Sequence, residues 1–223
     1  MTRLARVRLG LLSAGLVLIA AACATTTEST TAPASASLAS AGPPAASGSL
    51  DGELAAAKQY CTDKGGMLVD RIATWNTNAD PSQWVPFGGQ MTLCEFQSGE
   101  GDQATRISVD LLTLYSEKPT LAAVAYLSKV PPAMPPTPGA NPAAYNCTYG
   151  LGGSGTFGNG AAGGGWVDQS QPVFVVMDLC MFEDGSAIDE WGITYYADGT
   201  VRGADLAPIF RYQPKPGELP AVY

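Results

Sequence analysis

The 223 residues contain no histidine. That removes Ser-His-Asp and Cys-His catalysis together with histidine metal sites. The groups left for chemistry are five cysteines and a set of carboxylates. Asp184, Asp189 and Glu190 lie close together in the stretch Leu179 to Trp191, and paired carboxylates are what glycosidic hydrolysis uses. A structural role competes with that one: Asp184 builds a turn, while Asp189 and Glu190 solvate strand edges. Trp191 and Tyr195 alternate with Ile193 along the same stretch. With Glu190 they make the candidate binding surface, an aromatic platform beside an acid. Gly153-x-Gly155-x-x-Gly158 matches a dinucleotide fingerprint, but it follows a helix and opens no clear helix, so it reads as a loop. The expectation is a non-enzyme with no cofactor and no metal.

The elements that hold these residues start with a hairpin. Leu179 to Phe182 reads as a strand, Asp184-Gly185 as a tight turn, and Ile188 to Tyr196 as the partner strand, because Asp-Gly tolerates the positive φ of hairpin turns. A worn copy lies upstream at Leu93-Cys94-Glu95-Phe96-Gln97-Ser98-Gly99. Cys180 follows Cys94 by 86 residues, and Cys147 follows Cys61 by the same interval. Two related units follow from this, and the fold class is α+β, each unit a short helix stapled to a small antiparallel sheet. Four cysteines allow three pairings. Only Cys61–Cys94 with Cys147–Cys180 treats the units alike.

Residues 1–22 read as a targeting segment: Arg3, Arg6 and Arg8, the apolar run Leu11 to Ile19, then Ala20-Ala21-Ala22 before Cys23. The run is too short to span a bilayer, which takes about 20 residues. The pattern resembles the lipobox of bacterial lipoproteins, with Ala20 where leucine is commoner, and implies that Cys23 is acylated and anchors the chain in membrane lipid. Residues 23–48 are a tether of Ala, Ser, Thr, Pro and Gly, too poor in large apolar groups to fold. Without the three leader arginines, nine basic residues face 20 acidic ones, a net charge of −11. That argues against nucleic acid and against electrostatic docking on anionic lipid.

The first unit spans 49–130. Leu50, Leu54, Ala57 and Cys61 recur at helical spacing, and Gly65-Gly66 ends the helix. Strands are predicted over Met67–Ile72, Gln90–Phe96 and Thr105–Tyr115. The last has apolar residues on both faces and reads as central. Pro119 opens a helix. Residues 131–140 are a proline-rich linker. The second unit spans 141–223. Asn141 caps a helix with Pro142 at its first position, Val173–Phe182 is a strand, Asp198-Gly199 turns into Val201, and Ile209–Tyr212 is an edge strand. Aligning Ile107 with Ile188 also matches Thr113 with Thr194 and Tyr115 with Tyr196.

The second unit resembles a small family of exported bacterial domains of unknown function that carries a haemolysin label. The resemblance rests on Asn141-Pro142-Ala143, Cys147, Gly152-Gly153, Cys180, Phe182, Asp184-Gly185-Ser186, Glu190 and Trp191. Ile188 stands where the family has another cysteine. The first unit keeps Cys61, Gly65-Gly66, Cys94 and Phe96 and lacks the Glu-Trp pair. The resemblance implies an exported location and a stapled build, and no activity. From Ile188 in the core, Glu190 is expected on the same strand face, bonded to backbone amides or a hydroxyl at the sheet rim. Trp191 is expected on the other face, against the helix near Tyr145. The functional expectation is a membrane-anchored extracytoplasmic lipoprotein with a binding or envelope-structural role toward an envelope or extracellular protein or glycan. An inhibitor that presents a rigid loop is the alternative, and a carboxylate hydrolase the third.

Overall fold

The computed structural model describes residues 47–155, 163–171 and 173–219. The leader, Cys23, the tether up to residue 46 and Gly158 lie outside them. Helix α1 (Ser47–Asp63) ends at Gly65, whose φ of +83° is the left-handed value glycine accepts at no steric cost. Its inward side is Ala57 and Cys61, while Leu50 and Leu54 are exposed. Strands β1 (Met67–Trp75), β2 (Val85–Ser98) and β3 (Thr105–Asp110) form an antiparallel meander. Helices α2 (Leu111–Tyr115) and α3 (Leu121–Ser128) follow. After them come α4 (Pro142–Tyr145) and a π-helical turn over Asn146–Gly150. Five short strands close the sheet: β4 (Ser154–Gly155), β5 (Gly164–Val167), β6 (Val176–Met177), β7 (Leu179–Met181) and β8 (Ala187–Asp189). Helix α5 (Glu190–Ala197) continues from β8 without a break.

All eight strands join in one sheet of order β4-β7-β8-β3-β2-β1-β5-β6, each neighbour antiparallel. The protein is therefore α+β. Both disulfides are present, Cys61–Cys94 and Cys147–Cys180. In each, a glycine lies flat on the sulfurs. A Cβ on Gly66 would fall 2.5 Å from Cys94 Sγ, and one on Gly153 would fall 2.5 Å from Cys180 Sγ. The Gly66 amide donates to the Cys61 carbonyl at 2.9 Å, and the Gly153 amide to the Cys147 carbonyl at 2.8 Å. Cys94 sits opposite Val109, Cys180 opposite Ile188, and Val109 opposite Ile188. Ile188 therefore pairs across the sheet with Val109, and Ile107 lies two positions before that partner on the same face.

β1 and β2 are longer than expected, whereas the expected strands over Thr105–Tyr115 and Ile188–Tyr196 overran. β3 stops at Asp110 and β8 at Asp189. In both places the aspartate side chain accepts from an amide three residues on, Thr113 at 2.9 Å and Gly192 at 2.7 Å. That is an N-cap, and it starts a helix where alternating β-branched and aromatic residues had read as strand. The predicted Val173–Phe182 strand is split at Asp178 into β6 and β7. Val201 and Ile209–Tyr212 are not strands; Leu206, Phe210 and Tyr212 are core residues in an irregular C-terminal segment. Helix α3 opens after Thr120 and not at Pro119; Thr120 is its cap, the hydroxyl accepting from the Ala123 amide. The Asp184-Gly185-Ser186 turn completes that cap: Asp184 accepts from the Leu121 amide at 2.7 Å and Ser186 from the Ala122 amide at 3.0 Å.

One sheet face carries Cys94, Phe96, Ile107, Val109 and Ile188 against the helices and the C-terminal segment. Tyr126 binds this layer together, stacking on Tyr196 at 3.8 Å and accepting from the Leu206 amide. The other face carries a smaller apolar cluster, Ala73, Leu93, Trp166, Met177, Leu179 and Ala187. Beside it lie the buried ions described next.

Candidate functional site

Alternation puts Arg71 of β1, Glu95 of β2, Arg106 of β3 and Asp189 of β8 on that second face, all buried. Arg71 Nη2 lies 2.8 Å from Glu95 Oε2, and Arg106 bridges Glu95 at 3.7 Å and Asp189 at 3.5 Å. Ser108 and Gln97 donate to the Glu95 carboxylate at 2.9 and 2.7 Å. Burial works against the Glu95 charge, yet Gln97, Arg71 and Arg106 together hold its carboxyl below the ordinary range. Arg71 Nη1 also donates to the Phe174 and Val175 carbonyls at 3.1 and 3.3 Å. Phe174 holds a φ of +63°, unusual for a bulky residue, and its ring lies 5.0 Å under the Arg106 guanidinium. Two cations and two anions balance, and their polar atoms are largely satisfied. The network holds Phe174 and Val175 over the sheet.

At the edge of this network is a cleft of about 600 Å³. Its wall includes Asn78, Asn141, Tyr145, Thr148, and the glycines at 155, 163 and 164; its two acids are Asp178 and Glu190. The break between β6 and β7 turns Asp178 out of the strand, and the Glu190 amide donates to the Asp178 carbonyl at 3.2 Å. The two carboxyl-bearing residues are therefore tied by backbone. Glu190 opens α5 and is 1% exposed. Neither of its carboxyl oxygens has a hydrogen-bond partner among the described residues. Gly155 lies over it: a Cβ there would fall 2.6 Å from Oε1. Burial, then the charges of Asp178 and Asp189, push Glu190 up to about 8. Burial and Asp189 push Asp178 up to about 6, with Arg106 pulling the other way. At pH 7 the cleft therefore holds one neutral acid and one carboxylate.

Several expectations about these residues are corrected. Glu190 is not on a strand and bonds no amide or hydroxyl among the described residues. Asp189 does not solvate an edge; it is buried, paired with Arg106 and caps α5. Trp191 stacks on Tyr195 at 5.6 Å, one helical turn away, and Arg202 covers Tyr195 at 5.2 Å. Neither ring lines the cleft, so Glu190, Trp191 and Tyr195 share a helix without sharing a site. Asp178 was missed because it sits inside an apolar run read as strand; an acid in such a run was the signal. Of the glycine motif, Gly155 forms β4 and lines the cleft.

Among the described residues there is no group of three or more Cys, Asp or Glu that could hold a metal, and no helix long and apolar enough to cross a membrane. The two disulfides suggest an oxidising, extracytoplasmic compartment. Compared with family models, curated proteins and solved structures, the chain matches none.

Proposed function

We propose that the protein is an extracytoplasmic, lipid-anchored binding module that holds a small polar ligand in the Asp178–Glu190 cleft. One observation carries the reading: a cleft of about 600 Å³ has in its wall a buried carboxyl with no partner among the described residues. Buried polar groups are ordinarily bonded, and an orphan costs about 1–3 kcal/mol. Strongly perturbed acids in a cleft are where function concentrates. The anchor is Cys23, supported by the basic, apolar and small-residue run before it. Mass spectrometry of membrane-extracted protein should find acyl mass on the peptide that begins at Cys23; an unmodified start would remove the anchor.

The build is read as two related units, the second similar to the haemolysin-labelled exported domains. Supporting this, Cys61, Gly66, Cys94, Val109 and Asp110 have the same parts as Cys147, Gly153, Cys180, Ile188 and Asp189. The pairing of Val109 with Ile188 is what a two-fold relation between the units would give. The inhibitor alternative is weakened because Asp184 and Ser186 are turned inward to cap α3.

The test is an amide-resolved NMR titration of the protein with a library of small polar fragments. Saturable shifts at Gly155, Gly163 and Gly164 support the reading. No such shifts across the library would reduce the cleft to a packing defect. A hydrolase is the second reading, favoured by Asp178 and Glu190 at about 6 and 8, a base and an acid in one cleft. It requires new reducing ends from envelope polysaccharide, lost in both Asp178→Asn and Glu190→Gln.

A further inference from the structure

The cleft has a specific chemical asymmetry. Asp178 and Glu190 are its only charged side chains among the described residues, and the rest of its wall is Gly, Ala, Asn, Thr, Tyr and Val. No arginine or lysine among the described residues lines it. Elsewhere the chain supplies its acids with partners. Glu95 has Arg71, Ser108 and Gln97. Asp189 has Arg106 and the Gly192 amide, and Asp110 has the Thr113 amide and hydroxyl. Glu190 is buried with no partner among the described residues, and Gly155 keeps the space beside Oε1 clear of a side chain.

A missing cation beside two acids is chemistry that a ligand can supply. We propose that the cleft takes a ligand bearing a primary ammonium group, seated between the carboxyl groups of Asp178 and Glu190. This rests on the reading of the cleft as a binding site and narrows it to one ligand class. An ammonium is compact and brings three donors and no acceptor. The two carboxyls in the wall supply acceptors for them. A neutral polyol would leave the Asp178 carboxylate without a counter-charge, and an anion would add a second negative charge beside it.

Proton linkage gives the inference its sharpest consequence. The charged groups that act on Glu190 are Asp178 from the β6–β7 break and Asp189 at the end of β8; Arg106 of β3, Arg202 after α5 and Glu95 of β2 act on Asp189 behind them. Free Glu190, at about 8, is mostly protonated at pH 7. A bound cation favours its ionised form, so binding expels a proton and tightens as pH rises. A primary amine with a pKa near 10.4 stays charged through that range.

The probes are n-butylamine, 1-butanol and butyrate, titrated into the protein and followed at the Gly155 and Gly163 amides and at the Glu190 side-chain carboxyl. Butylamine should give saturable shifts, bind at least about tenfold tighter at pH 8.5 than at pH 6.5, and lower the Glu190 midpoint. Glu190→Gln and Asp178→Asn should each weaken it at least about tenfold, with proton release lost in the first. If Glu190→Gln does not fold, Asp178→Asn carries the test. Cleft binding by 1-butanol or by library sugars without butylamine overturns the ammonium while sparing the binding reading. Silence from every probe and fragment overturns both. Butylamine binding unmoved by either variant overturns the placement.

Discussion

Replacing Glu190 by glutamine should stabilise the protein, by an amount that depends on pH. In the unfolded chain the carboxyl titrates near its ordinary 4.5, and in the folded protein near about 8. A raised carboxyl favours folding only while both states are protonated. Its contribution is complete below pH 4.5 and is lost as pH rises toward 8, because the unfolded state gives up its proton first. At about 1.36 kcal/mol per pH unit, the loss is about 3 kcal/mol by pH 7 and about 5 kcal/mol at pH 8 and above. Glutamine has the same shape and no titration, so the variant escapes the loss. At pH 4 the two proteins should melt together. At pH 7 the variant should melt about 6–12 °C higher, since 1 kcal/mol moves the midpoint of a domain this size by about 2–4 °C. Calorimetry from pH 4 to 8 measures the divergence. A glutamine variant that melts lower than the parent at pH 7 would mean that Glu190 is an ionised, bonded group, and the account of the cleft would fail.

Other substitutions probe the frame around the site. Gly153→Ala puts a methyl 2.5 Å from Cys180 Sγ and Gly66→Ala one 2.5 Å from Cys94 Sγ; each should cost about 1–3 kcal/mol in urea unfolding. The cost at Gly153 should shrink when Cys147 and Cys180 are both alanine, and an unchanged cost there would show that the sulfurs are not the obstacle. Arg71→Met strands the Glu95 charge and should cost about 3–5 kcal/mol, and adding Glu95→Gln should recover most of it; a double variant no better than the single would mean that Arg71 acts through the Phe174 and Val175 carbonyls instead. Asp184→Ala removes a bond to the first amide of α3 and should cost about 0.5–2 kcal/mol, whereas an unaltered melt would leave α3 capped by Thr120 and Ser186 alone.

What the sequence made legible was covalent or local. The interval of 86 residues pairs the cysteines, Asn141-Pro142 starts a helix, and Asp184-Gly185 makes a turn, because each depends on residues a few positions apart or on a repeated spacing. The candidate site was half legible. Glu190 was singled out, but for a strand edge, since Ile188 to Tyr196 alternates like a strand. The helix there is set by one side chain, Asp189 accepting from Gly192, and the Asp-x-x-Gly pattern is too common to outweigh β-branched and aromatic neighbours. Asp178 and the Arg71–Glu95–Arg106 network were not found at all. Their partners come from strands far apart in the chain, and charge alternation in a strand reads the same whether a loop covers it or water does.

The contrast between the ion network and Glu190 bears on whether the cleft was selected for binding. Two arginines and two acids are buried on one face with each acid paired to an arginine, at the desolvation cost such groupings carry. Directly after Asp189, at the start of α5, a third acid is buried with no partner among the described residues. A chain able to satisfy Glu95 and Asp189 could have satisfied or replaced Glu190, since glutamine or leucine there would remove a penalty of about 3 kcal/mol at pH 7. Local violations of otherwise consistent design are expected where a function needs them. The stabilised glutamine variant should therefore also be the one that has lost its ligand. Stability and binding moving in opposite directions on one substitution is an outcome that a purely structural Glu190 cannot produce.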